Sequence, residues 1–167
     1  ASFDCAASRV ATASGADVVV SSVSEPRPDV GPLPHVGPVQ RVTLSCDGSV
    51  VAATANDDRV RAWDVHSGAV LVDWQAPYPL VDLELSHDAR LLAVMGRAGG
   101  VVVWGIAQGN VVAEPIAESL AAIAAAGSAT SSRDLEKRLT FTANDRLLVA
   151  RSAVGLRVMR REACSPM

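Results

Sequence analysis

The chain has 167 residues, 49% of them apolar and 20% charged, with a formal net charge of −3. That length suits one domain and buries about two thirds of the unfolded surface, while the charge balance excludes a strongly basic nucleic-acid surface and a long acidic tail. No apolar run reaches the roughly 18 to 20 residues that cross a bilayer. Lys137 is the single lysine among fifteen basic residues. The arginines are scattered one or two to a strand, so with abundant Ala, Val and Gly the bias reads as genome composition, not as a phosphate site. The chain opens Ala1-Ser2-Phe3-Asp4, without an initiator Met or a signal-peptide pattern, and reads as a processed or excised piece.

In chain order, residues 3–22 are predicted to hold a short strand, a turn over residues 4–8, a strand over 9–13, a turn over 14–17 and a third strand over 18–22. Gly and Asp punctuate them as hairpin turns require. Pro26, Pro28, Pro32 and Pro34 follow. Each proline lacks a ladder donor, so residues 26–34 form either an edge strand or a loop.

The next stretch is more regular. Strands are predicted over 39–44, 50–54, 60–63 and 69–74, joined by turns at Ser45-Cys46-Asp47-Gly48, Asn56-Asp57-Asp58 and Val65-His66-Ser67-Gly68. Gly48 suits a positive φ. Strands over 80–85, 91–95, 101–104 and 111–113 then repeat the pattern, with Asp88 standing 41 residues after Asp47 and Trp104 standing 41 residues after Trp63. Asp17 to Ser22 stands one period before Asp58 to Trp63. Recurrence at a fixed period over four strands marks a repeat architecture. A fourth copy runs through 139–142, 147–151 and 156–159, but Met159 falls 55 residues after Trp104. The extra residues are visible: Glu118 to Ala126 is Ala-rich with helical propensity, Gly127 is a stop, Ser128 to Arg133 is a polar linker, and Ser131 and Asp134 have capping-box spacing. The units are therefore about 1–34, 35–75, 76–115 and 137–162, with an insertion over 116–136.

Leu44-Ser45-Cys46-Asp47-Gly48, followed by Val51 to Asp57 and by Val60-Arg61-Ala62-Trp63-Asp64, resembles one nearly complete repeat of the WD-repeat β-propeller family. The resemblance covers nearly the whole chain. It implies an all-β fold, a partial β-propeller of about four antiparallel four-stranded blades, with a short helical insertion. In that family a His, a Ser or Thr, an Asp and the Trp form a hydrogen-bonded structural network inside the blade. The resemblance puts His35, Asp57 and Trp63 in that network, with Pro34 replacing the usual Gly before the His and Ala53 replacing the hydroxyl residue. The third unit keeps only Trp104, with Ala76, Val94 and Ala98 at the other positions, while Ser22 and Met159 replace the Trp in the outer units. Losing a whole network leaves fewer buried groups unpaired than losing half of one, so His35 and Asp57 need water or backbone partners. Rings of this family usually need about seven blades, so the remaining blades are expected from a longer chain or from another chain.

No catalytic constellation is present. His35, His66 and His87 have no Glu, Asp or Cys at helical ligand spacing, and His66, in a turn, reads as solvated. Cys5, Cys46 and His87 share one turn position in successive units. Equivalent positions in neighbouring blades are expected to diverge to about 10 Å or more, too far for zinc ligands at about 2.0–2.3 Å. Cys5, Cys46 and Cys164 give no even framework and are expected to be reduced thiols in an intracellular, cytoplasmic setting. Gly96 to Gly100 joins two strands and reads as a hairpin turn, not a phosphate loop. No cofactor or metal is expected. The resemblance instead assigns binding to one face, made of the turns between second and third strands and the approaches to first strands: Pro38, Asn56, Tyr78, Pro79 and Arg97. Pro77-Tyr78-Pro79 reads as an interface anchor or as a stiffened loop, and Trp74 as blade packing or a neighbour contact. The implied function is a non-enzymatic scaffold for protein–protein interactions within a larger multi-subunit assembly. Its partners would be other protein subunits or the remaining blades of a longer chain, not small molecules or nucleic acid. The alternatives are a propeller-type enzyme, which a bound metal or cofactor would reveal, and a nucleic-acid-binding propeller, which a steep salt dependence would reveal.

Overall fold

A computed structural model describes residues 1–25, 27–97, 99–113, 138–142, 144–145, 147–152 and 155–160. All regular structure among them is β. The first blade holds β1 (Ser2–Phe3), β2 (Arg9–Ser14), β3 (Asp17–Ser22) and β4 (Pro28–Pro34); the second holds β5 (Val39–Leu44), β6 (Val50–Ala55), β7 (Arg59–Asp64) and β8 (Val70–Gln75). The third holds β9 (Leu80–Leu85), β10 (Leu91–Gly96), β11 (Val101–Gly105) and β12 (Asn110–Ala113), and the fourth shows β13 (Arg138–Phe141), β14 (Leu147–Ser152) and β15 (Gly155–Arg160). Each is an antiparallel meander in chain order, and the register repeats: Val51 opposes Trp63, and one period later Leu92 opposes Trp104. The fourth blade shows three described strands, at the three segments expected of the fourth copy. Of the two readings for the proline-rich stretch, the edge strand holds. Among the described residues β4 pairs with β3 alone and takes its prolines on the sheet's outer edge. The 116–136 insertion, its expected helix and the Ser131–Asp134 capping box lie outside the described residues.

The sheets stack face to face. Side chains alternate along each strand, so β6 and β7 send Val51, Ala53 and Trp63 into one layer and Val50, Ala52, Val60 and Ala62 into the next. The first layer joins them to Ala11, Val18, Val20 and Leu33 of the first blade. The second joins them to Leu83, Leu85, Leu92 and Val94 of the third. A third layer sets Ala93, Met95, Val101 and Val103 against Leu139, Phe141, Leu148 and Ala150. Val50–Ala55 is consequently buried at every position, which is why it reads as a continuous apolar run rather than an alternating one. β1, β5, β9 and β13 touch in succession, so the blades converge on their first strands.

The turns from first to second strand carry a repeated polar device. Ser45 Oγ donates to Asp47 Oδ1 at 2.7 Å and accepts from the Val50 amide at 3.0 Å. Ser86 does the same with Asp88 at 2.7 Å and the Leu91 amide at 2.9 Å. Thr142 repeats it with Asn144 at 2.9 Å and the Leu147 amide at 3.1 Å. The fourth turn residue is left-handed in every copy: φ is 52° at Ala7, 69° at Gly48, 55° at Ala89 and 53° at Asp145. Two substitutions in one turn should therefore act oppositely. Ser86→Ala strips a fully buried hydroxyl from two partners and should cost about 1–3 kcal/mol. Ala89→Gly removes the Cβ penalty of the left-handed backbone and should add about 0.5–1 kcal/mol. Denaturant unfolding of both variants checks the signs, and a neutral Ser86→Ala would contradict this role for the hydroxyl.

Candidate protein-binding rim and inner cleft

At one end of the blades two backbone bonds recur one period apart. The Asn56 amide donates to the Pro38 carbonyl at 3.0 Å, and the Arg97 amide donates to the Pro79 carbonyl at 2.7 Å. Each ties the turn after a second strand to the approach of the same blade's first strand. Pro38, Asn56, Pro79 and Arg97 are exposed and Tyr78 is half-buried. Gln40 Nε2 also donates to Asn56 Oδ1. The Tyr78 ring lies over Gly96, where an added Cβ would stand 2.8 Å from its Cδ2. Close approach of the ring therefore requires glycine there. The ring also meets Trp74 edge-on at 6.3 Å, and Trp74 lies 5.6 Å from Trp104. Trp74 thus packs into the layer between the second and third blades. All five rim residues lie at the same end of adjacent blades, as two hydrogen-bonded pairs with Tyr78 wedged beside Pro79.

The structural network behind this rim is incomplete. Trp63 is 1% exposed and His35 6% exposed, and their rings meet edge-on at 6.2 Å. His35 Nδ1 accepts from the Val36 amide at 3.1 Å, which leaves the ring proton on Nε2, and that buried nitrogen faces the Ala53 backbone without a well-formed hydrogen bond. Burial pushes the imidazole below its ordinary pKa, with the Asp57 carboxylate opposing. Asp57 Oδ1 accepts from the Arg59 amide at 3.1 Å. Trp104 Nε1 is buried without a partner as well. His66 is exposed.

On the inner side, residues of β1, β2, β5 and β9 surround a cleft of about 410 Å³ whose polar lining includes Ser2, Gln40, Arg41, Thr43, Asp82 and Glu84. Asp82 Oδ2 accepts from the Leu139 amide of the next blade at 2.9 Å, and Arg41 Nη1 lies 3.5 Å from Asp82 Oδ1. Burial, reinforced by the Asp82 charge, pushes the Glu84 carboxyl up to about 7, while His87 works the other way. Nothing in the sequence pattern separates Asp82 and Glu84 from ordinary strand carboxylates. Their i, i+2 spacing on β9 puts both on one face of the strand, and the convergence of first strands turns that face into a cleft wall.

One geometric expectation fails. Cys5 and Cys46 do not diverge: their Cα atoms are 4.6 Å apart and their sulfurs form a disulfide, not a pair of reduced thiols. Both lie in turns leaving a first strand, where the blades converge; radial divergence applies to the outer strands. The repeat had put both cysteines at one turn position, so the signal was present and its geometry misjudged. His87, in the same turn of the third blade, meets the fourth blade instead. Its amide donates to Asp145 Oδ1 at 2.8 Å, its Nδ1 lies 3.0 Å from the same oxygen, and the Asp88 amide donates to Asp145 Oδ2 at 2.8 Å. Among the described residues no group of three or more His, Cys, Asp or Glu side chains is placed to hold a metal ion, and no helix is long and apolar enough to cross a membrane.

Period, strand order and stacked meanders define a WD-repeat β-propeller fold, here as four consecutive blades. Comparison with known proteins agrees. The chain is similar to Eukaryotic translation initiation factor 3 subunit I of Schizosaccharomyces pombe, at 32% identity over 93 residues, covering 53% of this chain and 26% of that protein. The same-named protein of Coccidioides immitis is 35% identical over 81 residues, covering 46% and 24%. The Periodic tryptophan protein 2 homolog of Schizosaccharomyces pombe is 27% identical over 77 residues, covering 46% and 9%. The matched part thus spans about a quarter of the initiation-factor subunits and less than a tenth of the third relative. No protein-family model matches the chain.

Two measurements follow from the unsatisfied and shifted groups. Ala53 is fully buried with its backbone beside His35. Ala53→Ser should offer Nε2 an acceptor and stabilise the chain by about 1 kcal/mol, read as a rise of about 2–4 °C in Tm; an unchanged or lower Tm would show that the hydroxyl finds no partner. For Glu84, folding holds the proton up to about 7 whereas the unfolded chain releases it near 4.5, so stability is lost as pH rises through that window. Glu84→Gln should be the more stable protein at pH 8, with the advantage shrinking to nothing below about pH 4.5. Parallel urea curves over pH decide it.

Proposed function

We propose that this chain is a non-enzymatic scaffold whose blade rim holds other protein subunits, or the remaining blades of a longer chain, within a multi-subunit assembly. The observation that carries the reading is the repeated rim: exposed Pro38, Asn56, Pro79 and Arg97, fixed by equivalent backbone bonds in adjacent blades, with a half-buried tyrosine beside them. Such a surface is ordered before it meets a partner, so little side-chain and loop entropy is lost on contact. Tyrosine and arginine are also the residue types over-represented among interface anchors. Two of the relatives are named as subunits of a translation initiation factor, which supports a place in an assembly. An intracellular, cytoplasmic location accompanies this reading.

Tyr78→Ala combined with Arg97→Ala should lower the yield of co-purifying proteins at least tenfold while circular dichroism still shows the folded β-sheet protein. Quantitative mass spectrometry of affinity-purified wild-type and variant protein measures this. An unchanged partner profile would rule out this rim as the docking site.

A further inference from the structure

The first and second blades are clasped at their inner turns in three ways. The Cys5 amide donates to the Cys46 carbonyl at 3.0 Å, Arg9 Nη1 donates to the Gly48 carbonyl at 3.2 Å, and the two cysteines form a disulfide. Among the described residues the equivalent turns of the third and fourth blades meet through the Asp145 carboxylate, without a disulfide. Among the described residues the first blade shares one apolar layer, with the second blade, and its other face carries Phe3, 58% exposed. Its inner strand β1 reaches the second blade through Ser2 Oγ, which accepts from the Leu44 amide at 3.1 Å. Cys5 is exposed and Cys46 half-buried, so the Cys5 side of the bond is the more open one to an incoming thiolate.

We propose that Cys5–Cys46 is a redox-operated clasp that fixes the first blade to the second when closed and loosens it when open. The inference rests on the intracellular placement in the proposed function, because in a glutathione-buffered compartment disulfides are transient or redox-sensing rather than permanent. The exchange partner is a low-molecular-weight thiol of the glutathione class. On opening, a glutathione thiolate attacks the Cys5 sulfur, the Cys5–Cys46 bond breaks, and Cys46 leaves as a thiolate that takes up a proton. A second glutathione thiolate attacks the glutathione sulfur of the mixed disulfide and releases the Cys5 thiolate. The protein disulfide is reduced to two thiols while two glutathione thiols are oxidised to one disulfide, and closing is the reverse. Opening also frees β1, and with it the Ser2 wall of the inner cleft.

The test uses the full chain carrying Cys164→Ser, so that only the two clasp cysteines remain. The protein is equilibrated across glutathione and glutathione-disulfide ratios, alkylated and weighed, and its amide exchange is followed in both states. The expected result is an intrachain disulfide that closes and opens within the glutathione range. In the open state β1, β2 and their turn should exchange at least tenfold faster, with β9 to β11 unchanged, and Cys5→Ser should show the open-state rates at every ratio. A pair that never closes, one that stays closed at the most reducing ratio, an interchain bond, or identical exchange in both states would each overturn the clasp. Partner capture by the Tyr78 and Arg97 rim is read separately, so loss of the clasp and loss of the scaffold reading are distinguishable.

Discussion

Everything in this molecule hangs on sheets buried face to face. A single four-stranded meander covers its apolar side chains on neither face, and burial at about 25 cal/mol per Å² is the favourable term that must offset chain entropy. Stacking supplies it. Each interior sheet buries both faces, so β6 and β10 are built of small and medium aliphatics that interdigitate with their neighbours on either side. The stacking also brings the first strands together, where backbone amides would lose water without gaining a sheet partner. They are satisfied across the blade boundary instead. The Leu44 amide donates to Ser2 of the first blade, the Leu80 amide to Asp58 of the second, and the Leu139 amide to Asp82 of the third. The apolar layers supply cohesion, and these side chains fix the registry between blades.

Polar order has correspondingly moved inward. The His–hydroxyl–Asp–Trp network that the family resemblance implies survives here only as His35 packed edge-on against Trp63, with Nε2 lacking a well-formed hydrogen bond and Ala53 where the hydroxyl residue would stand. The complete networks lie at the inner turns, where Ser45, Ser86 and Thr142 each bind the same two kinds of partner. Order at the opposite end then falls to backbone bonds, to the Gln40–Asn56 side-chain bond and to the Trp74–Tyr78–Trp104 cluster.

The strands were legible because two local signals agreed: alternation or apolar runs of strand length, and turn residues at a fixed 41-residue spacing. The turn position of Gly48 could be read from residue type, whereas Ala7, Ala89 and Asp145 take the same left-handed backbone without announcing it. The shared placement of Pro38 with Pro79 and of Asn56 with Arg97 was legible through the repeat, since one period relates each pair, whereas the choice of that face for binding came from the family resemblance and is a proposal. What the sequence concealed was everything created by convergence between blades. The Cys5–Cys46 contact, the shifted Glu84 and the carboxylates of Asp82 and Asp145 reaching across a boundary all depend on distances between units. Periodicity reports the content of each unit and carries no such distances.

The same physics leaves an apolar patch on the outer face of the first blade, where Phe3, Val10 and Val19 share one side of the sheet with Thr12 and Ser21. If blade stacking is the governing interaction, that face requires a cover, from further blades, a partner subunit or another copy. Sedimentation velocity of the isolated 167-residue chain over a wide concentration range tests this directly. The account requires concentration-dependent association above the 17.3 kDa monomer, reduced by replacing Phe3 with a charged residue. A single stable monomer at every concentration would contradict it.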